Sequence, residues 1–233
     1  MKKAFLAVGV FAIVLIITTG CTHTRLPEEE YAKKAMESYR SGRYEDAYSY
    51  YQLLLKFYPD SKKVPEYKRM LAETIYKILE NSKPDLRDGY IRQLQSLGGV
   101  ADTILAWIRY QDAVKNDQEE ERTRKLKQLG LRGIMLAAQY AIDRMKYEDA
   151  ARAYETAVEI FPDDTAAYKV AFLAGYIYSE HLKDYDRAEK YYRMVVEKFP
   201  DCELADDAQF MLENMGKPFV APDTSAAKQQ VKK

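Results

Sequence analysis

The stretch Tyr147–Asp163, YEDAARAYETAVEIFPD, decides the fold, because the chain writes nearly the same line twice more. Tyr44–Asp60 reads YEDAYSYYQLLLKFYPD and Tyr185–Asp201 reads YDRAEKYYRMVVEKFPD. In register, Ala47, Ala150 and Ala188 align, as do Tyr51, Tyr154 and Tyr192, and Pro59, Pro162 and Pro200, at offsets of 103 and then 38 residues. Within Tyr147–Phe161, apolar residues Tyr147, Ala150, Ala151, Tyr154, Ala157, Val158 and Phe161 recur three or four apart, which predicts a helix with one broad apolar stripe. The small alanine admits a neighbouring helix, the aromatic one turn later fills the space beside it, and the proline ends the hydrogen-bond ladder.

A helix is expected before each of these stretches. IMLAAQYAIDRMK from Ile134 offers Ala137, Ala138 and Ala141 for close approach. AYKVAFLAGYIYSEHLKD from Ala167 has Gly175 at the crossing and one residue more before the turn. EYAKKAMESYRSGRY from Glu30 has Ala35 at the crossing and Gly42 in the turn. An apolar stripe on both helices of each pair cannot be hidden within the pair alone, so such units stack side by side. An offset of 103 is close to three periods of about 34 residues, and 38 is close to one. The repeats resemble the tetratricopeptide repeat. That resemblance implies an all-α, right-handed α-solenoid.

The expected organisation places the solenoid at 29–216, with signature repeats at 29–61, 132–164 and 165–201 and a capping segment at 202–216 carrying Leu204, Ala208, Met211 and Leu212 on one side. Residues 62–131 lack the signature. They carry helical patterns, with Pro65 in a first turn and Tyr67, Met70, Leu71, Thr74, Ile75, Ile78 and Leu79 as one stripe, then Leu86–Leu97, Val100–Val114 and Glu119–Leu129. Two degenerate pairs fit there, for about five pairs in all. Glu120 with Arg124 and Glu121 with Lys125 are spaced for ion pairing. Gly98-Gly99, and Gly130 with Gly133, read as punctuation. Residues 217–233 show no apolar period and are expected to be disordered.

Residues 1–20 read as an export leader: Lys2 and Lys3, an apolar run from Ala4 to Ile17, then Thr18-Thr19-Gly20-Cys21. The boundary resembles the lipobox of bacterial lipoproteins, in which the cysteine is acylated. By that resemblance Cys21 is the lipidation site (palmitate-type acyl chains). Residues 21–28 are a short tether, and Thr22 in place of aspartate implies the outer membrane, periplasmic face. The lipid anchor plus about five such repeats resembles the outer-membrane lipoprotein family of β-barrel assembly, the BamD type, on the segments GRYEDAYSYYQLLLKFYPDS, KYEDAARAYETAVEIFPDD and DYDRAEKYYRMVVEKFPDCELADDA. The same endings also fit the periplasmic repeat protein of the Tol-Pal system.

Composition narrows the function. Hydrophobic residues make up 47% and charged residues 31%, with 36 basic against 36 acidic side chains. The balance gives no footprint for nucleic acid. His23 and His181 are the two histidines and Cys21 and Cys202 the two cysteines, with no ligand spacing among them, so no metal and no cofactor are expected. Ser179, Glu180 and His181 are consecutive and cannot converge as a triad on a helix. No nucleophile elbow or phosphate-cradling loop occurs. The chain reads as a non-enzymatic scaffold for envelope proteins or peptides, with no small-molecule substrate. By similarity to tetratricopeptide grooves, the inward residues are Arg132, Met135, Gln139 and Asp143 in the fourth pair, and Lys169, Phe172, Tyr176 and Glu180 in the fifth. A second reading is an accessory subunit of surface glycan or peptidoglycan metabolism.

Overall fold

The computed structural model describes residues 25–81 and 84–217. The leader, Cys21 and the tail beyond Lys217 lie outside the described residues. Helices run Glu28–Arg40 (α1), Tyr44–Phe57 (α2), Val64–Asn81 (α3), Pro84–Ser96 (α4), Asp102–Val114 (α5), Glu119–Ile142 (α6), Tyr147–Ile160 (α7), Ala167–Tyr176 (α8), Tyr185–Lys198 (α9) and Ala205–Asn214 (α10). A 3-10 turn at Gly98–Ala101 precedes α5, and a π turn at Ile177–Leu182 follows α8. Among the described residues there is no strand, and no helix is long and apolar enough to cross a membrane. The fold is all-α and built from repeated helix hairpins.

The repeated sequence produces repeated backbone. Tyr58, Phe161 and Phe199 each precede a proline, which disfavours helical dihedrals at the residue before it. Their φ/ψ are −129°/52°, −129°/52° and −133°/52°. Each N–H still closes the last turn, onto Leu54, Ala157 and Val195. The repeat columns meet the packing they imply. Ala47, Ala150 and Ala188 are 0% exposed, and Tyr51, Tyr154 and Tyr192 are buried beside them, while Pro59, Pro162 and Pro200 are exposed.

The chain divides into two compact units at Thr74–Ile75, within α3. In the first, α1 packs on α2. Tyr31, Ala35 and Ser38 of α1 are buried with Ala47, Tyr51 and Leu54 of α2 and with Tyr67, Leu71 and Ala72 of α3. The segment before α1 is fastened to this unit. Tyr58 Oη donates to the Leu26 carbonyl at 2.6 Å, and Glu28 accepts from Ser61 Oγ at 2.5 Å and Tyr67 Oη at 2.7 Å.

In the second unit α6 contains two helices rather than one. Gly130, at φ 75° and ψ 163°, breaks the ladder, so residues 119–129 complete a pair with α5 and residues 131–142 begin one with α7. Gly133 does not punctuate the chain. It lies within helix, and its missing side chain leaves room for Leu129. The ion pairing on the first arm also differs from the spacing argument. Arg124 makes a two-point contact with Glu121, at 2.7 and 2.6 Å, rather than with Glu120, and Lys125 adds a longer one at 3.8 Å. Three-apart residues are neighbours on a helix as four-apart ones are, so a single carboxylate serves both cations.

The core of this unit is aromatic and alanine-rich. Trp107 Nε1 donates to Tyr76 Oη at 3.2 Å, and Tyr140 packs edge-on to Tyr76 and beside Trp107. At the last hairpin, a Cβ on Gly175 would lie 2.9 Å from the Tyr192 ring, so α8 approaches α9 as closely as glycine allows. Neighbouring hairpins are joined by Tyr191 Oη, which donates to Glu155 at 3.0 Å. α10 packs on α9, burying Ala208 and half-burying Leu204, Met211 and Leu212.

Candidate functional site

A groove of about 390 Å³ opens in the second unit between the 131–142 arm of α6 and the α8–π-turn segment. Its wall on one side is Arg132, Met135, Leu136, Gln139 and Ile142, and on the other Leu173, Tyr176, Ile177 and His181, with Tyr154 of α7 between them. Leucine, isoleucine, methionine and aromatic groups dominate the lining. Arg132 and Gln139 supply polar ends. Burial pushes the Tyr154 hydroxyl up to about 12, as desolvation of a phenol does.

Of the eight residues expected to face inward, Arg132, Met135, Gln139 and Tyr176 line this groove together. Asp143 sits one turn beyond, where its carboxylate accepts from Gln139 Nε2 at 2.8 Å. The other three lie off it. Lys169 pairs with Glu203 at 2.9 Å, and the hydrogen bond to that carboxylate raises the lysine above its ordinary range. Phe172 packs edge-on to Tyr192 with ring centres 5.4 Å apart. Glu180 approaches Lys183 at 3.7 Å.

His181 lines the groove where Glu180 was the expected residue, and the π turn accounts for it. Hairpins one and four close with an N–H five residues beyond its acceptor: Arg43 to Ser38 and Lys146 to Ala141, each at 2.9 Å. Hairpin five closes from Asp184 to Tyr178, six residues apart at the same 2.9 Å. The extra residue is absorbed by π geometry, in which residue i+5 follows residue i along one face. His181 therefore follows Tyr176, with ring centres 5.8 Å apart, and stacks on Tyr147 at 3.9 Å. The signal in the sequence is the one-residue surplus before Asp184.

A larger recess of about 610 Å³ lies among α5, the 119–129 arm of α6, and α7. Of its charged groups, Arg152 pairs with Asp149, and Glu155 accepts from Tyr191. Among the described residues no cluster of three or more His, Cys, Asp or Glu side chains is disposed to hold a metal ion. Cys202 is a free, half-buried thiol.

Repeated hairpins with an apolar groove define a protein-interaction scaffold built on tetratricopeptide repeats. The family model described as a tetratricopeptide repeat matches residues 33–61 and 169–201. No curated protein matches the chain. Among solved structures, the chain is similar to the crystal structure of MamA protein at 15% identity and a TM-score of 0.30, over 83% of this chain and 98% of that one.

Proposed function

We propose that this chain is a non-enzymatic, lipid-anchored scaffold of the bacterial cell envelope that holds protein partners in the groove between α6 and α8, outer-membrane protein assembly being the most concrete role. The observation that carries the reading is the groove itself, a mostly apolar channel between adjacent hairpins. Its lining suits apolar side chains presented by an amphipathic helix or an extended segment of a partner. The leader and the Thr19-Gly20-Cys21 boundary support placement at the periplasmic face of the outer membrane, with Cys21 acylated.

A photo-crosslinking residue at Gln139 tests it against the same residue at Glu197, an exposed position on α9. Adducts with envelope proteins are expected from position 139 and not from 197. Truncation of interface anchors typically costs about 2 kcal/mol or more. The pair Met135→Glu and Tyr176→Glu should therefore lower adduct yield at least about tenfold while helix content stays constant. Equal yields at both positions, or adducts indifferent to the pair, would exclude the groove as the docking site.

A further inference from the structure

We propose that the end of the first unit formed by Arg25–Glu28 and residues 56–63 is a bilayer-contacting face, kept against lipid headgroups by a tether too short to let it turn away. This rests on the reading of Cys21 as the acylated residue. The sequence alone leaves seven residues, Thr22 to Glu28, as a lead of about 24 Å. The structure shortens it. Leu26 is bonded through its carbonyl to Tyr58, and Glu28 accepts two hydroxyls, from Ser61 and Tyr67. Those two hydrogen bonds, the largest causes, hold the Glu28 carboxyl below its ordinary range, so the acceptor is charged at neutral pH. The Arg25 guanidinium lies 4.1 Å from the centre of the Tyr58 ring.

With the Leu26 carbonyl fixed in this way, five peptide steps separate Cys21 from the folded body. Their full extension is about 17 Å, at roughly 3.4 Å each. A Cys21 sulfur carrying its lipid at the headgroup level therefore brings the α2–α3 connection to the membrane surface. The opposite end of the same hairpin, at Arg40, stands about 20 Å away along the thirteen residues of α1.

Charge does not explain this contact. The cations at this end, Arg25, Lys56, Lys62 and Lys63, meet five carboxylates in the first turns of α1 and α3 and at Asp60. The near balance leaves tether length as the controlling quantity. Contact should then survive salt that shortens the Debye length to about 3 Å.

The test uses the full acylated chain in a Cys202→Ser background, reconstituted in phosphatidylcholine vesicles doped with phosphatidylglycerol. One fluorophore is placed at Lys62→Cys or at Arg40→Cys, and quenching by headgroup spin-labelled lipid is read. Several-fold stronger quenching at position 62, retained in high salt, is the expected result. The double variant Glu28→Ala, Tyr58→Phe releases the fastened segment and should bring the two positions closer together. Equal quenching in the fastened protein, with the acyl mass present on Cys21, would overturn this inference and leave the anchor intact. Absence of the acyl mass would remove the anchor and this inference together.

Discussion

Gly42, Met145 and Lys183 occupy the same left-handed turn position in three hairpins, with φ of 75°, 56° and 55°. Left-handed backbone costs an L-residue roughly 1–2 kcal/mol relative to glycine, which is offset in part by the extra chain entropy glycine loses on folding, about 0.5–1 kcal/mol. Met145 is 77% exposed, so its side chain contributes little packing to set against that strain. Met145→Gly should raise stability by about 0.5–1 kcal/mol, read as a small increase in the melting midpoint; an unchanged or lower midpoint would show that the methionine makes a stabilising contact. At this scale the alanine, aromatic and proline columns are legible in the sequence, because each residue's size or missing N–H dictates its place. His181 is less legible. Its position depends on how one surplus residue is accommodated, and several backbone solutions could have absorbed it.

The α6 segment shows what pattern alone leaves undecided at the scale of an element. Gly130 and Gly133 look equally able to interrupt a helix, yet one adopts a conformation open essentially to glycine alone while the other is helical. The difference lies in what surrounds them after packing, which a spacing argument does not contain. Substitution separates the two. An alanine Cβ at Gly130 would meet nothing within 4 Å, so the cost of Gly130→Ala is backbone strain, on the order of 1–3 kcal/mol. Gly133→Ala meets Cδ1 and Cγ of Leu129 at 2.6 and 2.7 Å, which a rotation of that side chain about its Cα–Cβ bond can carry away, and it gains up to about 1 kcal/mol in helix propensity. Urea unfolding followed by helical circular dichroism should therefore rank Gly130→Ala well below the parent and Gly133→Ala close to it. Equal losses would mean that the break between the third and fourth pairs is not set by Gly130. The hairpins that flank this break differ in kind: the signature repeats are legible because their caps are written out, whereas the middle pairs rely on stripes such as Tyr67–Leu79, which fix a helix but not its partner.

Across the described residues, tyrosine recurs among the largest side chains of the core, and this sets how the fold fails in alkali. The chain has 20 tyrosines, and burial is the first cause holding the hydroxyls of Tyr51, Tyr76, Tyr154 and Tyr192 up to about 12 against an ordinary 10.0. Desolvation penalises the phenolate, so the folded chain keeps these protons while the unfolded chain releases them near pH 10. Below that pH both states are protonated and stability is independent of these groups. Between about 10 and 12 the folded state binds more protons, and stability falls as pH rises. One such group removes about 1.4 kcal/mol per pH unit, and the four act in the same direction. Tyr51 belongs to the first unit and the other three to the second, so both units carry the liability. Helical circular dichroism should thus hold to about pH 10 and then be lost, with part of the phenolate absorbance appearing only as the helices melt. If the phenolate signal instead rose in a single step with its midpoint near pH 10 and the helices intact, these rings would be in contact with water, and the alanine–tyrosine seams would not be the dry core of the hairpins.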